Sequence, residues 1–74
     1  MARYMASNKG RTAGSFGSPR EAARDFFMKY PDEKSCSVAI GSDAGDLFIA
    51  RGSVAKGVTP ESVDKLDGPA GGAP

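Results

Sequence analysis

The chain has 74 residues, with 10 Lys and Arg against 9 Asp and Glu, one Cys, no His and no Trp. Without imidazole, Ser-His-Asp and Cys-His catalysis are excluded. A single Cys with no His supplies neither a four-ligand zinc site, nor a two-Cys redox pair, nor an internal disulfide. Packing alone must therefore hold the fold, which suits a reducing compartment. No run approaches the ~20 apolar residues of a membrane span. The first residues also lack the apolar core of a secretory signal, so a cytoplasmic protein that does not enter membranes is expected.

Residues 1–17 carry Arg3, Lys9 and Arg11 and no acid, with Gly10, Gly14 and Gly17 spaced among Ser, Thr, Asn and Ala. This composition reads as a flexible basic arm. The first clear element begins at Ser18. A Ser N-cap, Pro19 at the first helical position and Glu21 three residues after the cap together signal a helix start. Ala22, Ala23, Phe26, Phe27 and Tyr30 then recur at steps of three and four on one stripe, while Arg20, Glu21, Arg24, Asp25 and Lys29 face water. Pro31 disfavours helical geometry at Tyr30 and ends the run. Asp25 and Lys29 stand at the favourable i, i+4 spacing for an ion pair.

After the loop at 31–34, residues 35–40 alternate, with Cys36, Val38 and Ile40 on one side and Ser35, Ser37 and Ala39 on the other, the pattern of a half-buried strand. Turn-forming residues fill 41–46, and Leu47 to Arg51 resumes as a second strand, giving a hairpin. The segment 52–58 with Val54 reads equally as a continuation or as a further short strand. Thr59 before Pro60, with Val63 and Leu66 three apart ahead of Gly68, suggests a short C-terminal helix. Residues 67–74 are nearly all Gly, Ala and Pro and read as a disordered tail.

These elements predict an α+β fold. One N-terminal amphipathic helix packs on a small antiparallel hairpin or sheet, followed by a short helix, with a single domain over 18–66 between flexible termini. A hairpin alone is unstable, so Phe26, Phe27 and Tyr30 are expected to cover the Cys36, Val38, Ile40 side. The candidate core comprises Phe16, Phe26, Phe27, Met28, Tyr30, Cys36, Val38, Ile40, Leu47, Phe48, Ile49, Val54, Val58, Val63 and Leu66. That is a thin core, and association with another chain is the usual remedy.

Several short patterns invite a chemical reading and each yields to a simpler one. The glycines before Ser18 lack the preceding strand and the Gly-Lys-Ser/Thr ending of a phosphate loop. Ser53-Val54-Ala55-Lys56 matches a Ser-x-x-Lys pattern without its companion motifs and beside glycines that oppose a helix. Asp43 and Asp46 fall short of a calcium loop and suit a hairpin turn. Asp32 and Glu33 read as a solvated pair, and Cys36, in phase with Val38 and Ile40, as a small buried hydrophobe.

No catalytic residue, cofactor site or metal site is assigned, and the chain is not expected to be an enzyme. The leading expectation is a non-catalytic protein-interaction module, an inhibitor, adaptor or regulatory accessory of the size common among phage and plasmid proteins. It would bind another protein through the hairpin edge and the helix surface, using Arg20, Arg24, Phe48 and Arg51. An exposed strand edge would equally allow a homodimer. The alternative rests on charge: residues 1–20 carry +4 and the remainder −3. A basic arm of Arg3, Lys9 and Arg11, extended by Arg20 and Arg24, could then follow a nucleic-acid backbone.

Overall fold

The computed structural model describes residues 2–66. Its elements are β1 (Arg3–Asn8), β2 (Arg11–Phe16), α1 (Pro19–Lys29), β3 (Cys36–Ala44), β4 (Leu47–Val58) and a single 3-10 turn at Val63–Lys65. The strands form one antiparallel sheet in the order β2-β1-β3-β4. The helix packs across β1, β2 and β3. The fold is α+β, but the helix is not its N-terminal element. It follows a complete hairpin.

That hairpin is the segment read as a flexible arm, and the domain accordingly begins at β1 rather than at residue 18. Lys9 and Gly10 reverse the chain with φ of 53° and 82°, the pair of positive values that a two-residue turn matching the strand twist requires. Glycine takes that conformation without strain. On either side, Tyr4 pairs with Phe16 and Ala6 with Ala13, and β1 is bonded on its other flank to β3, with Ala6 opposite Val38. A composition of Ala, Ser and Gly looks unable to support order when judged by hydrophobicity. Here the small side chains are the point of contact: Ala6 and Ala13 are buried directly against Ala22, Ala23 and Phe26.

The helix start follows the expected chemistry with one variation. Ser18 is fully buried, and its Oγ accepts from the Glu21 amide at 3.2 Å. The Ser18 hydroxyl then donates to the Glu21 carboxylate at 3.1 Å, so the capping glutamate closes on the side chain of the cap. The helix ends at Lys29, and the Tyr30 amide donates to the Phe26 carbonyl at 2.8 Å before Pro31 turns the chain away. Among the described residues the expected Asp25–Lys29 pair is not formed. The Lys29 ammonium lies 5.7 Å from the centre of the Tyr30 ring instead.

The segment 52–58 is a continuation: β4 runs unbroken to Val58, opposite Cys36. The expected C-terminal helix shrinks to one 3-10 turn. Thr59 and Ser62 explain this, because the Ser62 hydroxyl accepts from the Thr59 amide at 2.8 Å while the Ser62 amide reaches back to the Thr59 carbonyl at 2.9 Å. Such local bonds compete with helical ones. Buried Val63 nonetheless anchors the turn against the core. The tail read at 67–74 lies outside the described residues.

Ala6, Ala13, Ala22, Ala23, Phe26, Cys36, Val38, Val58 and Val63 are buried, with Phe26 and Val38 the largest fully enclosed apolar side chains. Four of the residues expected in the core, Met28, Leu47, Ile49 and Val54, are exposed instead. Met28 is off the apolar stripe of α1, and the other three lie on β4, at the rim of the sheet.

Close approach of β3 and β4 fixes one glycine. A Cβ at Gly41 would collide with the Ile49 carbonyl oxygen and lie 2.9 Å from the Ala50 Cα, whereas one at Gly52 would meet nothing within 4 Å. Gly41→Ala is therefore expected to lower unfolding free energy by about 1 to 3 kcal/mol. Gly52→Ala should leave it unchanged or raise it by up to about 1 kcal/mol. Urea denaturation of the two variants beside the parent checks the register of the hairpin; equal effects would contradict it.

Candidate functional site

β4 is one of the two edges of the sheet, β2 being the other, and is bonded to β3 alone among the described residues. Between Val58 and Ala50 its ladder is interrupted by three register shifts, each adding a residue to β4 while β3 stays regular. The extra residues fall at 56–57, where Gly57 has φ 64°, at Val54 and at Arg51. Bulges of this kind twist an edge and spoil it as a template for further strands. Towards the turn the ladder becomes regular, with Ala50, Ile49, Phe48 and Leu47 opposite Gly41, Ser42, Asp43 and Ala44.

This regular tip extends past β1, whose pairing with β3 stops at Arg3 opposite Gly41. Side chains alternate across it. Leu47 and Ile49, opposite Ala44 and Ser42, share the side of the sheet that Cys36 and Val38 present to the helix. They lie beyond the helix, and they remain 70% and 50% exposed. Phe48 points to the other side, half-buried, opposite Asp43. Arg3 joins it there, with Nε 3.4 Å from the Asp43 carboxylate. Arg51, exposed at its bulge, and Lys56 make no ion pair among the described residues.

The expected partner-binding set thus divides. Phe48 and Arg51 stand together near the tip of β4, whereas Arg20 and Arg24 are on α1 and turn towards the C-terminal segment. Arg20 Nη2 donates to the carbonyls of Asp64 and Leu66 at 3.1 and 2.8 Å, while its Nε is buried without a hydrogen-bond partner among the described residues. Arg24 pairs with the Asp64 carboxylate at 3.3 Å. Beside them an open groove of about 360 Å³ is walled by Phe27, Met28, Pro60 and Val63, with the Arg24–Asp64 pair at its rim. Exposed Met28 is the apolar feature of this helix surface.

The set nominated for nucleic acid is dispersed and largely neutralised. Lys9 occupies the β1–β2 turn, and Arg3, Arg20 and Arg24 are engaged as described. Arg11 Nη1 lies 3.0 Å from an Asp32 oxygen and 3.2 Å from a Glu33 oxygen, with its guanidinium 5.1 Å from the centre of the Tyr30 ring. The Glu33 side chain is only 8% exposed, and its second oxygen accepts from Asn8 Nδ2, which also donates to the Ser35 carbonyl. The pair read as solvated is therefore half structural: Glu33 is enclosed in a bridge from the β1–β2 turn to the loop before β3. Asp32, exposed, has its carboxyl held below the usual range by its own backbone amide first and by Arg11 second.

The chemical patterns find simple places. Ser53 and Lys56 lie on the bulged strand β4 rather than one helical turn apart. Asp43 is tied to Arg3. No group of three or more His, Cys, Asp or Glu among the described residues is arranged to hold a metal ion. No helix among them is long and apolar enough to cross a membrane. Cys36 is buried, and that burial pushes its thiol up to about 11.

Leu47, Ile49, Val54 and Met28, expected in the core, are exposed apolar residues instead. For Met28 a signal existed in its position off the helical stripe. For Leu47 and Ile49, alternation marks a shared face but does not tell how far the helix reaches over it. Comparison of the chain with protein-family models, curated proteins and solved structures finds no match.

Two outcomes follow from these side chains. Removing Arg11 leaves the enclosed Glu33 carboxylate with Asn8 alone, so Arg11→Gln should cost about 1 to 3 kcal/mol in denaturant unfolding. Asp32→Asn, at an exposed position, should cost much less, and comparable losses would show that the Glu33 contact is not the important one.

Cys36 has its folded-state thiol raised from 9.0 to about 11, so the folded protein holds the proton where the unfolded chain has released it. Its contribution is whole below pH 9 and is lost as pH rises towards 11. Over that window the parent should lose stability relative to Cys36→Val, and the native thiol should resist a disulfide-exchange reagent at pH 8 until urea is added. Rapid labelling of the native protein would contradict this burial.

Proposed function

We propose that this protein is a non-catalytic, cytoplasmic interaction module, an inhibitor, adaptor or regulatory accessory that acts by binding another protein. The tip of β4 is the principal contact and the Met28 face of α1 a secondary one. The observation that carries the reading is the exposure of Leu47 at 70% and Ile49 at 50% on the longest regular stretch of the edge strand β4. In a chain with a thin core, large apolar side chains left in water on a strand with unpaired backbone groups mark a surface used in recognition. Strand addition supplies main-chain hydrogen bonds for affinity and side-chain contacts for selectivity.

Phosphate-backbone binding receives less support, because Arg3, Arg11 and Arg24 already face carboxylates at 3.4, 3.0 and 3.3 Å. Such pairs would have to break before the cations could replace counterions on a nucleic acid.

The test uses the full chain immobilised as bait against an extract of its source cell, beside Ile49→Lys. Because Ile49 is half exposed, the variant should keep the circular dichroism spectrum and melting temperature of the parent while losing the retained protein. Equal retention by both would reject the β4 tip as the contact. DNA or RNA binding that weakens steeply with salt and disappears in Arg11→Gln would replace the reading with the nucleic-acid one.

A further inference from the structure

We propose that the tip of β4 pairs with the same strand of a second copy of this chain, forming a two-fold antiparallel dimer whose sheets join edge to edge. This rests on the reading of β4 as a recognition edge and names its occupant. Three observations favour a second copy.

The regular ladder is confined to Leu47–Ala50, and bulges at Arg51, at Val54 and at 56–57 oppose pairing further along. An added strand is thereby restricted to a short register. Antiparallel two-fold pairing requires like positions to meet at the axis, and with Phe48 there, Leu47 of each copy stands opposite Ile49 of the other. The two exposed apolar residues on one side of the sheet thus cover each other, with the two Phe48 rings adjacent on the opposite side. Apolar cross-strand pairs of this kind stabilise a sheet.

The charge order along the edge is also self-complementary. Asp46 precedes the regular segment and Arg51 follows it, and Arg51 makes no ion pair among the described residues. In an antiparallel pair the acidic end of each strand runs beside the basic end of its neighbour, whereas a parallel arrangement sets acid by acid and base by base. Such complementarity fixes orientation more than it adds affinity.

The pairing is short, so the dimer is weak, with a dissociation constant on the order of 10 μM. Sedimentation equilibrium of the full chain over about 1 μM to 1 mM should show a monomer–dimer equilibrium. Every substitution enters the interface twice. Ile49→Lys should weaken the dimer by more than about tenfold, and Arg51→Glu, which sets Glu diagonally across from Asp46 of the other copy, by about tenfold. The double variant Asp46→Lys/Arg51→Glu restores opposite charges and should return the constant to within about threefold of the parent.

All these positions are exposed or in the turn, so far-UV spectra and monomer melting should not change. A chain that stays monomeric to the top of the range overturns the dimer. If Ile49→Lys still abolishes capture of a different protein, only the choice of occupant has failed. A dimer indifferent to Ile49→Lys and to the charge exchange overturns pairing at this edge, and with equal capture by parent and variant it removes the recognition reading as well.

Discussion

Phe26 and the alanines around it set the spacing between helix and sheet, and most other features of the molecule follow from that contact. Ala22 and Ala23 bring the helix backbone close, Ala6 and Ala13 do the same from the two N-terminal strands, and Val38 closes the contact from β3. Two surfaces of alanine leave little volume to fill, so one phenylalanine completes the centre of the domain. Phe27 stands edge-on to it, with ring centres 5.5 Å apart, and Tyr30 lies 5.1 Å away on the other flank. Such interlocking gives a small domain a unique packing without much apolar mass. It also gives β1 its place in the core: Ala6 on β1 and Val38 on β3, the two inner strands, are both fully buried under the helix.

Polar side chains tie down what this small core does not reach. At the β1–β2 turn, the Arg11–Glu33–Asn8 bridge fastens the hairpin to the loop before β3. Tyr30 adds a hydroxyl donated to the Thr12 carbonyl at 3.3 Å. At the other end, Arg20 and Arg24 hold the turn around Asp64 to the first turns of the helix. These arginines make the sequence look basic at its start, yet in space most of that charge is spent within the fold. A charge count along a chain reports on partners only for those cations that folding leaves unpaired, and Arg51 and Lys56 on β4 meet that condition better than the arginines of the first twenty residues do.

The parts of this structure that could be read from sequence are those signalled by local chemistry. Ser18, Pro19 and Glu21 fix where the helix starts, Pro31 fixes where it stops, and the alternation of Cys36, Val38 and Ile40 marks the strand it covers. The first hairpin escaped because its buried residues are alanines, whose hydrophobic contribution is small and whose value lies in letting the layers approach. A signal was nonetheless present, since Tyr4, Ala6 and Asn8 alternate before a Lys-Gly turn and Ala13 follows on the matching face. Val54 was misplaced because it is the extra residue of a bulge, and Leu47 and Ile49 for another reason. Period-two patterning tells which residues share a face, while the length of the helix, set elsewhere, decides how much of that face is covered.

The two halves of β4 show how one strand can be both protected and available. From Arg51 to Val58 the extra residues and the glycines at 52 and 57 break the row of backbone groups that a passing strand would need. Random edge-to-edge association is suppressed there without any covering element. Had the whole strand been built that way, Leu47 and Ile49 could have been polar at no cost to the core, since neither contributes buried area under the helix. Instead the ladder turns regular where the apolar residues emerge, and Gly41 lets β4 come close enough to β3 to keep it so. Irregularity over one half of the strand, followed by regularity where large apolar side chains meet water, is the arrangement that the proposed pairing in a single register requires.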